Sequence, residues 1–211
     1  MIYSKNIFPL FALLTTFSVF GQIAQGDQGN LNDITFFLRV NNPRYEGAEG
    51  SRYLFEKFVP AKINEVPKSY PVRFDVVDNV IEFQENGEQI KGLSPKQEYR
   101  IQLMDGSNRV FITRTYIDDL GNLQKSFFEL AHESESFHLF KKERIKYQPA
   151  KPIKSSYEPA KPAKFIKQED LVYVDYPNDR LDYLIMIPKK KKKLKVFFGA
   201  QYPELENPIV T

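Results

Sequence analysis

Hydrophobic and polar positions alternate with period two along much of the chain. In "VRFDV" Val72, Phe74 and Val76 point one way and Arg73 and Asp75 the other, and "VIEFQ" does much the same after an Asp78-Asn79 turn. Such alternation marks half-buried strands, because successive side chains leave opposite faces of a pleated backbone. Upstream, "ITFFLRV" is a short β-rich run bounded by Asn41, Asn42 and Pro43. "EGAEGSRYLFEKFVPAKI" follows it, with Gly47 and Gly50 punctuating its start and Pro60 its end. Downstream, "YRIQLM" and "RVFITRTYI" flank Asp105-Gly106, a dipeptide that favours a tight hairpin turn. "DDLGN" predicts the next turn, "SFFELA" the next strand and "FHLFKKERIKYQ" a longer one. No helical period intervenes. The pattern predicts a mainly β (α+β) fold, an antiparallel β meander forming a curled sheet, sandwich or partial barrel.

At Tyr147 the pattern changes. "YQPAKPIK" (Tyr147 to Lys154) recurs as "YEPAKPAK" (Tyr157 to Lys164) ten residues later. Closely spaced prolines favour extended polyproline II backbone, with the lysines projecting into water. Two copies are too few for a solenoid. Beyond them, "DLVYVDY" and "RLDYLIMI" flank Pro177-Asn178-Asp179 as a C-terminal β-hairpin. Pro188 then stands where a helix can begin, "KKKKKLKVFF" gives one short basic α-helix, and Gly199 caps it before Pro203. The expected organisation is a leader over residues 1–21, an antiparallel β-rich domain over 22–147, a Pro/Lys-rich connector over 148–164, and a hairpin-plus-helix module over 165–211 packed on the main domain.

The leader reading rests on three features. Lys5 supplies a positive start, "IFPLFALLTTFSVF" an apolar stretch, and Gly21 a small residue before the bond to Gln22. That is the anatomy of a cleaved secretory signal peptide, and the apolar run falls short of the roughly 20 residues a spanning helix needs. No second run of spanning length follows, so the mature chain is expected to be exported without a transmembrane span. It is expected in the periplasm, at the outer membrane, or outside the cell.

Composition narrows the chemistry. The chain has no Cys and no Trp but 18 Phe and 12 Tyr, so the core is expected to be built from Phe, Tyr and aliphatic residues. Without cysteine there is no disulfide, thiolate metal site or cysteine nucleophile. His132 and His138 are the two histidines, in "ELAHESESFHLF" with Glu133 and Glu135, and a polar turn between strands accounts for them more simply than a metal site. The carboxylate doublets Asp118-Asp119 and Glu169-Asp170 also fall where turns or strand starts are expected. No nucleophile elbow or phosphate loop is present. No catalytic residue, metal ligand or cofactor is assigned.

Charge is unevenly spread. Residues 1–140 hold 14 basic and 18 acidic side chains, whereas residues 141–195 hold 16 and 7. On the expected helix, Lys189, Lys190, Lys191, Lys192 and Lys193 surround the first turn and a half, and Lys195 continues the charge. Leu194 with Phe197 and Phe198 forms a docking face at i, i+3 and i+4. Cations oppose the dipole at a helix N-terminus, so stability does not explain the placement. A solvated face and a contact for polyanions or acidic partners both remain open. Lys151, Lys154, Lys161, Lys164, Tyr147 and Tyr157 of the repeats form a second candidate surface. Export argues against nucleic acid as the partner.

"GSRYLFEKFVPAKI", "RFDVVDNVIEF", "LFKKERIKYQPAKP", and "KFIKQEDLVYV" followed by "IPKKKKKLKVFF" together resemble an uncharacterised family of secreted β-rich proteins of Bacteroidota. The "FGQ" end of the leader fits that group as well. The resemblance covers most of the mature chain, implies an envelope role and carries no catalytic assignment.

The expected function is therefore non-catalytic binding of another envelope protein or an anionic lipid or lipopolysaccharide surface. Two alternatives stand beside it: a small-ligand carrier with an apolar pocket in the β body, and a carboxylate-based hydrolase.

Overall fold

The computed structural model describes residues 28–31, 34–40, 42–85, 87, 89–152, 161–177, 181–190, 192–194 and 196–197. The expected leader and its cleavage before Gln22 lie outside the described residues, as do Lys154, Tyr157, Lys191, Lys195, Phe198, Gly199 and Pro203.

The strands are β1 (Gln28–Leu31), β2 (Ile34–Leu38), β3 (Val59–Ile63), β4 (Ser69–Asp75), β5 (Val80–Phe83), β6 (Lys91–Leu93) and β7 (Arg100–Leu103). They continue as β8 (Val110–Ile117), β9 (Leu123–Glu133), β10 (His138–Lys142), β11 (Ile145–Gln148), β12 (Lys164–Lys167), β13 (Leu171–Asp175) and β14 (Ile185–Met186). Twelve of them form one antiparallel sheet in the order β1-β2-β6-β5-β4-β3-β7-β8-β9-β10-β13-β14, and β11 pairs with β12 apart from it. The mainly β, curled architecture expected from the alternation is what the chain adopts.

Local chemistry sets the turns. Gly106 and Asn108 take positive φ of 87° and 55° between β7 and β8, and Gly121 takes 83° between β8 and β9. Glycine meets that demand without a Cβ clash, and asparagine tolerates it. On β4 the buried residues Tyr70, Val72 and Phe74 alternate with Pro71 and Arg73 as expected. They pack with Ile63, Phe83, Ile101, Phe111 and Phe127 in the larger of two cores.

The sheet curls until it meets itself. Leu184, one residue before β14, bridges Tyr116 of β8 in parallel and donates its N–H to the Thr115 carbonyl at 2.8 Å. The strands β8, β9, β10, β13 and β14 thereby ring a smaller core of Ile112, Phe128, Phe140, Tyr173 and Leu184. Edge-to-face ring pairs hold it, with Phe128 and Tyr173 centroids 5.1 Å apart.

Four segments differ from the pattern-based expectation. "FHLFKKERIKYQ" is not one strand, because the chain leaves the large sheet after Lys142 and β11 joins the small one. Pro60 does not end its segment but lies inside β3 opposite Pro71 of β4, where neither ring has to donate to the other strand. Residues 28–31, ahead of the first run read as β-rich, form edge strand β1. "KFIK" forms β12, and the repeat next to it is paired backbone: Lys151 and Lys161 exchange N–H···O bonds of 2.9 and 3.1 Å. That bridge keeps the register in which Tyr147 faces Phe165.

Residues 192–194 and 196–197 are helical, and the Leu194 N–H reaches the Lys190 carbonyl at 2.9 Å. Lys192, Lys193 and Val196 are exposed there, whereas Leu194 and Phe197 are half-buried, as a docked amphipathic turn requires. Among the described residues no helix is long and apolar enough to cross a membrane.

Candidate functional site

The outer face of β4 and β5 is not solvent-facing. Asp75 is fully buried and Glu82 is 1% exposed, although both occupy the polar phase of their strands. The segment 42–56 lies over them, and its backbone pairs with the end of β4 through Leu54 N–H to Phe74 O (2.9 Å) and Val76 N–H to Arg52 O (3.0 Å).

Buried carboxylates need compensating charge, and three arginines supply it. Arg39 donates through Nη2 to Asp75 at 2.5 Å and Asp78 at 2.6 Å, and through Nε to Glu82 at 2.9 Å. Arg73, opposite Glu82 in the β4–β5 register, donates to the other oxygen of that carboxylate at 2.6 Å. Arg52 lies 3.2 Å from Asp75 and donates to the Tyr53 hydroxyl at 2.8 Å. Three cations thus meet three anions in a neutral network. Burial pushes the Asp75 carboxyl above its usual range, with Arg52 and Arg39 pulling back. Burial acts the same way on Asp78, but hydrogen bonds from Arg39 and Tyr45 outweigh it and hold that carboxyl below its usual range. Burial, then the hydrogen bond to Asp78, pushes the Tyr45 phenol up to about 12.

Two members of this network, Arg52 and Arg73, line an open groove of about 800 Å³. Tyr45, Tyr53 and Phe165 wall it, Arg52 and Arg73 reach its floor, and Glu46 and Glu56 stand exposed in its lining. Arg73 lies 3.8 Å from the Tyr53 ring centroid and 4.5 Å from that of Phe58, so its guanidinium is fixed in position from both sides. The far wall is β12, held to the 42–56 segment by Glu49 N–H to Ala163 O and Phe165 N–H to Glu49 O, both 2.8 Å. Gly50 fits there because its φ of +82° suits glycine, and a Cβ would stand 3.1 Å from the Phe165 carbonyl oxygen.

Tyr147, expected as a contact residue, is a structural part of this wall. Its hydroxyl donates to the Arg44 carbonyl at 2.6 Å, and its ring packs on Tyr45 and Phe165 at 5.0 and 5.5 Å between centroids. Lys151, Lys161 and Lys164 are exposed on the paired repeat beyond it. Lys189 meets Glu169 at 2.7 Å, while Lys190, Lys192 and Lys193 are exposed. The structure therefore packs Tyr147 behind the groove wall, brings Phe165 of β12 into its lining, and leaves the described lysines of the two candidate surfaces exposed.

The other candidates are turn and strand residues. Asp118 accepts from the Leu120 and Asn122 N–H groups at 2.9 and 2.8 Å, which holds its carboxyl below the usual range with burial opposing. Ser134 and Phe137 close the turn between β9 and β10, His132 packs its ring on Phe137 at 5.3 Å, and His138 lies 3.9 Å from Asp175. Among the described residues no three His, Cys, Asp or Glu side chains converge as metal ligands do.

The sequence reading missed Arg39, Arg52, Arg73, Asp75, Asp78 and Glu82. The visible signal was Glu82 within the apolar run "VIEF" opposite Arg73 across a four-residue turn. No protein-family model, curated protein or solved structure matches the chain.

Proposed function

We propose that this is an exported, non-catalytic binding protein of the cell envelope, and that it grips a segment of a partner protein in the groove between residues 42–56 and β12. The observation that carries this reading is the groove itself. Its floor and walls are fixed before any ligand arrives, by a neutral ion network beneath and a docked hairpin beside it. Preorganisation of this kind lowers the ordering cost of binding. The lining mixes aromatic faces with both signs of charge, which suits a polypeptide better than a purely apolar guest. The buried carboxylates beneath it are engaged by arginines, an arrangement suited to positioning the groove's arginines.

The exposed lysines have a subsidiary part. Lys189, Lys190, Lys192 and Lys193, with Lys151, Lys161 and Lys164, attract the protein to anionic lipid or lipopolysaccharide without fixing its orientation. Such attraction is worth about 1 kcal/mol per residue near the surface and is screened by salt. The leader and the resemblance to secreted Bacteroidota proteins support the envelope setting.

Co-purification of the tagged mature protein from native envelopes at low and high salt tests this, beside two variants. Ala48→Trp obstructs the groove from a lining position outside the ion network, and changing Lys189 to Lys193 to Gln removes the basic run. The expected result is a partner that survives salt and the Gln variant and is lost with Ala48→Trp. A partner lost with salt and the Gln variant but retained by Ala48→Trp overturns the groove assignment.

A further inference from the structure

A second cavity, of about 260 Å³, lies between the two cores, away from the groove. Phe74, Val76, Val77 and Asn79 of the β4–β5 connection line one side, and Tyr116, Ser126 and Phe127 of β8 and β9 another. Lys142 and Arg144, at the break between β10 and β11, enter it together with Gln168.

The charges here are unlike those of the groove. The Lys142 Nζ stands 3.5 Å from the Tyr116 ring centroid and 5.6 Å from that of Phe128. Among the described residues neither Lys142 nor Arg144 is ion-paired to a carboxylate. Glu143 also lines the cavity; its Oε1 is held by Lys141 at 2.9 Å and Arg109 at 3.4 Å, while its buried Oε2 accepts no hydrogen bond and has Lys167 at 3.8 Å. Asp118 and Asp119 act on Lys142 only at a distance. Burial, then the charge of Arg144, pushes the Lys142 amine down to about 8. Two cations therefore share a small enclosure whose one lining carboxylate serves other cations. Cation–π contact recovers only part of the cost.

An anion supplies what the cavity lacks. A carboxylate or phosphate offers oxygens that accept from an ammonium, a guanidinium and an amide at once, and Lys142, Arg144, Asn79 and Gln168 present those donor types. The volume suits one such group on a small molecule, being below the roughly 300–1,000 Å³ of larger ligand sites. We propose that this cavity is a binding site for a small oxyanion, a carboxylate or phosphate group, gripped by Lys142 and Arg144. It is independent of the groove and needs no partner protein.

The mature protein, titrated with inorganic phosphate, acetate and chloride at matched ionic strength, tests the site through the NMR signals of the Lys142 side chain and the Gln168 amide. The expected result is saturable shifts with phosphate or acetate and none with chloride, weakened at least tenfold in Lys142→Met and in Arg144→Gln. Near-UV circular dichroism checks that both variants are folded; should Lys142→Met not fold, Arg144→Gln alone carries the comparison. Phosphate alone or acetate alone as the active titrant identifies which oxyanion the site takes. Equal shifts with chloride, no saturation, or unchanged affinity in the folded variants overturns the proposal.

Discussion

The Arg39 guanidinium lies 2.5 Å from the carboxylate of Asp75, a residue 36 positions further along the chain and wholly shielded from water. That contact joins the loop after β2 to the end of β4. It also holds together the floor of the groove, since Arg39 serves Asp78 and Glu82 as well. Removing one partner of a buried ion pair strands the other in a medium that solvates it poorly. Asp75→Ala is expected to lower unfolding free energy by about 3–5 kcal/mol, and Arg39→Met by a similar amount. The double variant is expected to cost less than the sum, because neither charge is then stranded by the other's loss. Urea unfolding of the four proteins checks this, and strictly additive losses would contradict the coupling.

Lys142 makes stability depend on alkaline pH in an unusual direction. Its folded-state amine titrates at about 8 against 10.5 when unfolded, burial being the main cause and Arg144 the next. Between those values the unfolded chain binds the extra proton, so stability rises with pH. The phenols of Tyr45, Tyr99 and Tyr173, pushed up to about 12 chiefly by burial, act oppositely above pH 10, where the unfolded chain ionises first. The expected profile climbs from about pH 8 to 10 and then falls. Lys142→Met is expected to be more stable at pH 7 by about 1 kcal/mol, after allowance for solvent screening, and to lack the climb. Chemical denaturation from pH 7 to 11 measures both, and a climb of the same size in Lys142→Met would disprove the assignment.

Gly50 ties the groove's two walls together. Alanine there would adopt an unfavourable positive φ and press its Cβ on the Phe165 carbonyl oxygen. Gly50→Ala is expected to cost about 1 kcal/mol or more and to speed hydrogen exchange at the Glu49 and Phe165 amides selectively. Exchange that quickens uniformly across the sheet would mean that β12 is not held by this contact.

Much of the sheet was legible because its signal is local. Val72 and Phe74 alternate with Arg73 whatever the rest of the chain does, and Asp105-Gly106 dictates its own turn. The site was not legible in the same way. Asp75 sits on the polar phase of β4, and only the distant segment 42–56 converts that face from wet to buried. Arg39 and Arg52 join it through contacts 36 and 23 residues away in sequence, which no periodicity records. The prolines of the repeat suggested polyproline backbone, but the register between Tyr147 and Phe165 runs through to Lys151 and Lys161, so pairing prevails at that position.

The lysines are expected to govern attachment to membranes but not recognition. Vesicles containing anionic lipid should bind the mature protein at low salt and release it progressively as salt rises well above physiological ionic strength, while Lys189 to Lys193 changed to Gln weakens binding at least tenfold at low salt. Thermal stability should stay within about 0.5 kcal/mol of the parent, since the exposed residues of the run carry no core contact. Binding that is insensitive to salt would point to an apolar contact instead.

Site-specific photo-crosslinking in native envelopes addresses the groove most directly. A photoreactive phenylalanine analogue replaces Glu56, in the groove lining, or exposed Gln124 on β9 as a control. The account predicts a discrete adduct from position 56, none from 124, and loss of the adduct when Ala48→Trp is added. Adducts from 124 with none from 56, or an adduct that Ala48→Trp leaves intact, would place the partner elsewhere on the protein.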